Sequence, residues 1–216
     1  MLKNHGVTSP NKPASRTERQ RQRTRAQLLA AGRSIIAAKG VAGLRIQEIT
    51  ETADVALGSF YNYFQSKEEF LEAIITESLS VLAATTVGTA EDATDPAEVV
   101  ALASLRTIQL AYTEPEFARL IANIGHSEAL FGRALHPYAR EVFERGITGG
   151  RFVVPDIDVL LTAVIGGAFA LIREILDERH GPLAGQAFAQ LTLAAVGLSP
   201  DEAAAVVAKA VASDQR

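Results

Sequence analysis

The 216-residue chain contains no cysteine, which excludes disulfides, thiolate zinc sites and a cysteine nucleophile. Its first twenty residues, MLKNHGVTSPNKPASRTERQ, have no apolar h-region, so no secretory signal is expected. The longest nearly continuous apolar run, residues 159–172, falls short of the ~20 residues a spanning helix needs and reads as a buried helix. No repeat of fixed period occurs, and beyond residue 95 no convincing strand alternation breaks the helical periods. These absences point to a folded, soluble, cytoplasmic protein with no membrane partner.

Catalytic constellations are also missing. Gly125, His126, Ser127 and Glu128 do not form a nucleophile elbow, and no His-Glu-x-x-His occurs. Asp156 and Asp158 could be metal ligands, but an aspartate beside Pro155 is more economically a helix cap. Gly146, Gly149 and Gly150 have no strand before them and read as a helix end and turn rather than a phosphate loop. No enzyme activity, cofactor or metal is expected.

The net charge of −4 hides an asymmetry: up to residue 67 there are 11 Lys and Arg against 4 Asp and Glu, and after it 10 against 21. A basic N-terminal quarter on an acidic body describes one end suited to a polyanion and a remainder that phosphate would repel. A solvated charge run explains part of this, but not why the charge changes sign where it does.

Residues 1–15, with Pro10 and Pro13 among small and polar neighbours, read as a flexible basic arm. Arginines 16, 19, 21, 23 and 25 lead into a helix with apolar positions Leu28, Leu29, Ala31, Ile35 and Ile36, stopped by Gly40 with Lys39 in its last turn. Two short amphipathic segments follow, 46–53 and 57–64, joined by Asp54, Val55 and Ala56. That is the outline of a helix-turn-helix. Ile46, Ile49, Ala53, Val55, Phe60 and Phe64 can share one small core, leaving Ser59, Tyr61, Asn62 and Tyr63 outside. Gly58 lets the backbone of the second segment approach a partner closely, as a helix entering a major groove must. Ser66 with Glu69 has capping-box spacing and opens a helix over 67–86 beginning at Lys67.

Further helices are expected over 96–113, 115–124, 127–145, 155–179, 183–196 and 200–212, with breaks at proline and glycine. Asp95 before Pro96 is a cap with proline at the first helical position. The helix over 155–179 is apolar around most of its circumference and carries Ala163, Gly166, Gly167 and Ala170. With Phe188, Leu191 and Ala195 of the next helix, these residues are candidates for a symmetric four-helix dimer interface, the alternative being the domain's own core. Polar and aromatic residues among apolar helices suggest a small-molecule pocket, with candidates Arg106, Gln109, Tyr112, Phe117, Asn123, His126, Phe131, Tyr138, Phe143 and Phe169. If Arg106 and His126 face one cavity, the effector would be anionic or hydrogen-bonding.

In register, Gly40, Ile49, Ala53, Val55, Gly58, Ser59, Phe60, Tyr61, Phe64, Ser66, Lys67 and Glu68 resemble the DNA-binding domain of the TetR family of bacterial transcription regulators, over roughly residues 21–82. Two positions depart from that pattern: Asp54 stands where glycine is usual, and Thr50 replaces alanine. Leu57 and Asn62 are also unusual. The resemblance implies that Ser59, Tyr61 and Tyr63 contact phosphate or base edges and that Lys67 holds the DNA backbone. Asn62 and Arg45 are the candidates for direct base reading.

The expectation is therefore an all-α chain in which a helix-turn-helix DNA-binding domain, 16–66 (helix-turn-helix 46–64), is followed by a connecting helix, 67–86, and an effector-binding and dimerisation domain, 87–216. Its partners would be a double-stranded DNA operator, a small-molecule effector and a second copy of the chain. The function would be a transcriptional repressor released by its effector. The alternative is a helical small-molecule carrier whose basic module contacts an acidic protein.

Overall fold

A capping box at Ser15 starts the first helix: its hydroxyl accepts from the Glu18 backbone at 3.2 Å, and the Glu18 carboxylate accepts from the Ser15 backbone at 2.6 Å. The computed structural model describes residues 15–86, 95–124 and 139–214. Among them no strand occurs. Helix α1 (Arg16–Lys39) is exposed up to Gln27 except at half-buried Thr24, and only from Leu28 does it enter a core. Its first half therefore projects as a basic rod. It ends where Gly40, at φ 70°, donates its N–H to the Ile36 carbonyl.

A short 3-10 turn, Val41–Gly43, leads into α2 (Ile46–Thr52). The turn beyond α2 uses Asp54 at φ 53°, a left-handed conformation that aspartate tolerates. The following segment departs from the expected full helix. Helix α3 covers only Leu57–Phe60, and the chain continues to Phe64 as a turn, with Asn62 and Tyr63 donating three residues back, to Ser59 and Phe60. Gly58, Ser59 and Asn62 are weak helix formers, and the tighter turn lets Phe60 and Phe64 both point inward. Those two rings meet Phe70 at centroid distances of 5.3 and 4.9 Å. Burial of each ring is worth ~1.5–3 kcal/mol, so this aromatic trio anchors the turn.

Helix α4 (Lys67–Thr86) opens with the Ser66 hydroxyl accepting from the Glu69 backbone at 3.1 Å. The return bond differs from the expected box: the Glu69 carboxylate accepts from Gln65 rather than Ser66. Along α4, Phe70, Ile74 and Ile75 pack on α1, and Glu77 pairs with Arg25 and Arg33 at 2.9 and 3.2 Å. Leu79 and Leu82 continue the buried stripe into the body.

Helix α5 (Pro96–Thr113) runs through the middle of the body and packs on α4, α8 (Ile157–Leu176), α9 (Ala184–Ala195) and α10 (Pro200–Asp214). Helix α6 (Pro115–Ile124) packs on α1 and α8. Asp95 caps α5 through the Ala97 N–H and also receives a two-pronged pair from Arg151, which reaches Glu202 as well. Asn123 donates to the Ile36 and Ala37 carbonyls at 3.0 and 3.2 Å, while Arg173 donates to the Ala122 carbonyl at 3.2 Å. The body is thus pinned, α8 to α6 to α1, at the C-terminal end of the first helix.

Of the helix expected over 127–145, residues up to 138 lie outside the described ones; the described part, α7, spans 139–148. It runs past Gly146, where glycine makes room for Phe152: a Cβ there would lie 2.0 Å from that ring. The helix end and turn come at Gly149 and Gly150 instead. Helix α8 also corrects an expectation. At 20 residues it is long and apolar enough to cross a bilayer by length and composition, although Leu160, Leu161, Ile165, Ala168, Phe169, Ile172 and Ile175 are buried against its own chain.

Candidate nucleic-acid interface and ligand cavity

The turn around α3 presents a polar surface held from behind by the aromatic trio. Tyr61 is 58% exposed and packs edge-on against Phe60, while Asn62 and Gly58 are exposed and Ser59 and Tyr63 half-buried. Among the described residues, Gly58 has no packing neighbour within 4 Å of the place a Cβ would occupy, so no contact there requires glycine. Leu57, at the start of α3, is 53% exposed, an apolar side chain on an otherwise polar face. Lys67 stands half-buried at the start of α4, beside that surface.

Arg45 is exposed, but its guanidinium donates to the Ala42 and Leu44 carbonyls at 2.7 and 3.0 Å, which ties it to the turn before α2. The sequence does not show which residues of the basic rod belong to the site. In the fold, Arg16, Thr17, Gln20 and Arg21 of α1 line one open groove together with Asn62 and Tyr63. Arg25, by contrast, lies over the Phe64 ring, 5.4 Å from its centroid, and pairs with Glu77. The crowding of arginines in this stretch was the available signal; which of them turn toward Asn62 depends on helix phase and on where α1 crosses the turn.

Behind the head, a cavity of about 110 Å³ opens among α4, α5, α7, α8 and α9. Leu82 and Ala83 contribute from α4, Val142 and Phe143 from α7, and Phe169 and Phe188 from α8 and α9. Ser104 and Thr107 of α5 are the polar side chains among the described residues of its wall. On α4, Ser78, one turn before Leu82, buries a hydroxyl that has no hydrogen-bond partner among the described residues.

Of the pocket candidates named from the sequence, Phe143 and Phe169 line this cavity. Arg106 is turned outward onto Asp214 at 2.7 Å. Gln109 and Tyr112 line a separate cleft toward α9 and α10, where the Tyr112 hydroxyl donates to the Gly181 carbonyl. Phe117 lines a surface cleft against α1, and Asn123 is committed to the α1 carbonyls. His126, Phe131 and Tyr138 lie outside the described residues.

Among the interface candidates, Ala163, Gly166 and Ala170 form an exposed stripe on α8, continued by Val159. Leu191, 69% exposed, and Ala195 are exposed on α9. Gly167 and Phe188 turn toward each other, with Phe188 3.5 Å from a Cβ built at 167, so Phe188 belongs to the cavity wall. Gly166 meets nothing within 4 Å among the described residues.

The chain matches the model of the bacterial regulatory proteins of the tetR family over residues 28–74, and that of the tetracyclin repressor-like C-terminal domain over residues 95–209. It is 40% identical over 174 residues to the HTH-type transcriptional repressor DhaR of Mycobacterium sp. (strain GP1), covering 74% of this chain and 86% of that protein. Over 52 residues, 24% of this chain, it is 44% identical to the repressor NemR of Escherichia coli, of which this covers 26%. The crystal structure of RolR in complex with resorcinol superposes at a TM-score of 0.68, with 29% identity, covering 88% of this chain and 96% of that one. The chain belongs to the TetR family of bacterial regulatory proteins, ligand-responsive DNA-binding regulators of transcription.

Proposed function

We propose that the protein is a homodimeric transcriptional repressor, not a catalyst, that leaves its operator when a small molecule fills the cavity beside α4. The observation that carries this reading is α4 itself. One helix begins with Lys67 beside the exposed α3 turn and reaches the cavity wall with Leu82 and Ala83. A ligand that alters the packing there acts on the same rigid element that carries the reading turn.

In this reading Gly58, Ser59, Tyr61, Asn62, Tyr63 and Lys67 face DNA, with Arg45 at the edge and Arg16 and Arg21 reaching the flanking backbone. The positioning contacts come from Tyr61 and Lys67, and the base-reading ones from Asn62. The exposed stripe of Val159, Ala163, Gly166 and Ala170 with Leu191 and Ala195 supports a two-helix contribution to a dimer interface. Gly166 supports it further, since a helical glycine open to solvent costs ~1 kcal/mol relative to alanine and no contact among the described residues calls for it. Two reading turns would then engage half-sites about one helical turn, ~34–36 Å, apart. The DhaR and NemR repressors support repression, and RolR's resorcinol complex supports a small effector. A cytoplasmic location follows from binding chromosomal DNA.

The test is a fluorescence-anisotropy titration against DNA from immediately upstream of the gene, at two salt concentrations, with unrelated competitor. Tight, competitor-resistant binding that weakens with salt is expected. Negligible binding to all DNA at low salt would replace this reading with that of a helical small-molecule carrier.

A further inference from the structure

From the cavity among α4, α5, α7, α8 and α9 we infer the class of the effector: a compact, uncharged molecule of single-ring size carrying one or two hydroxyl groups. This rests on the reading of that cavity as the effector site. Its volume, about 110 Å³, is of the order of a cavity that admits benzene, ~150 Å³ in an engineered case. A long acyl chain or a nucleotide conjugate would extend well beyond that volume.

The wall sets the polarity. Phe143, Phe169 and Phe188 offer ring faces and edges, and Val100, Val142 and Ile165 fill the gaps. Among the described residues no charged side chain lines the cavity. A carboxylate or ammonium entering it would surrender its water and meet no counter-ion among the described residues of that wall. Arg106 and Arg140, each next in sequence to a wall residue, pair with Asp214 and with Glu144 and Asp158 respectively.

Ser104 is buried and Thr107 half-buried, and their three-residue spacing puts both on one face of α5. Each hydroxyl can donate and accept. A ligand hydroxyl can therefore bond to either one in either sense, whereas a purely apolar ring leaves both without a partner from the ligand.

Isothermal titration of the full chain with phenol, toluene, benzoate and octanoate tests this, alongside the nearly isosteric variants Ser104→Ala and Thr107→Val. Phenol is expected to bind about tenfold or more tightly than the other three, and one or both variants to lower phenol affinity several-fold to about tenfold while leaving toluene within about twofold. Benzoate or octanoate binding as tightly as phenol, phenol binding that neither variant changes, or no saturable phenol binding would overturn it. Operator binding is measured separately without ligand. A chain that prefers phenol but binds no DNA keeps this inference and loses the repressor reading, and a chain that binds its operator yet prefers benzoate does the reverse.

Discussion

Gly32 of α1 faces Phe70 of α4 so closely that a Cβ on residue 32 would lie 2.5 Å from the Phe70 Cζ and 2.6 Å from the Ile74 Cδ1. Both partners are fully buried, so neither ring nor branch has free space to yield. Gly32→Ala is expected to destabilise the chain by ~1–3 kcal/mol, although alanine is favoured over glycine within a helix by ~1 kcal/mol. Urea unfolding midpoints check this. A more stable variant would mean that α1 and α4 are not packed so closely.

Gly58 is the opposite case. With open space around it, Gly58→Ala should leave the unfolding midpoint unchanged or raise stability by up to ~1 kcal/mol. If the first turn of α3 approaches DNA closely, the same substitution weakens operator binding by about tenfold or more, seen as an anisotropy shift with intact circular dichroism. Unchanged affinity would place the DNA elsewhere.

Tyr61→Phe and Lys67→Gln separate positioning contacts from reading ones. Each should weaken binding to operator and unrelated DNA alike, and Lys67→Gln should also reduce the slope of log affinity against log salt by ~1. Asn62→Ala should instead lose ~1–3 kcal/mol of discrimination at particular base pairs. Salt-dependent titrations on operator variants distinguish the two patterns.

On the α8 and α9 face, Leu191→Glu and Gly166→Glu place charges on an exposed stripe. Sedimentation equilibrium should show loss of the dimer, and operator affinity should fall with it because two half-sites are no longer held together. Persistence of the dimer in both variants would place the interface elsewhere.

Asp95 links acid sensitivity to the joint between α5, α10 and the segment after α7. Burial alone would raise its pKa, but hydrogen bonds from Arg151 and from the Ala97 N–H, with the charges of Arg151 and Lys209, hold it below the ordinary carboxylate value. A depressed folded pKa contributes stability that is fully present above the unfolded value, ~3.9, and is lost as pH falls through the lower folded one. Asp95→Asn, which keeps a side-chain cap, should cost on the order of 1 kcal/mol at neutral pH, because both partners retain solvent. The difference from the parent should shrink in acid, as unfolding series at several pH values would show.

Much of the helical order was legible because its signals are local. Asp95 before Pro96, Pro115, and the Ser199-Pro200 start marked helices at Pro96–Thr113, Pro115–Ile124 and Pro200–Asp214, and Gly40 ended α1. The length of α3 was not legible, since residues 57–64 have apolar spacing compatible with either a full helix or a tight turn. Apolar spacing shows which face is buried, but not against what. Spacing alone makes Phe188 a neighbour of the exposed α8 stripe, whereas its ring turns to the cavity. Arg106, expected inside, pairs outside with Asp214, a residue far along the chain.

The sequence alone therefore determined the all-helical class, the helix-turn-helix register and the basic head on an acidic body, because caps, breakers, periodicity and charge act within a few residues. Only the tertiary structure decided that Arg16 and Arg21 share a groove with Asn62, that Ser104 and Thr107 face the same space as Phe143, and that α4 joins that space to the reading turn. Those relationships depend on crossing angles and on the close approach of helices at residues such as Gly32, which are set by side-chain packing between segments distant in the chain.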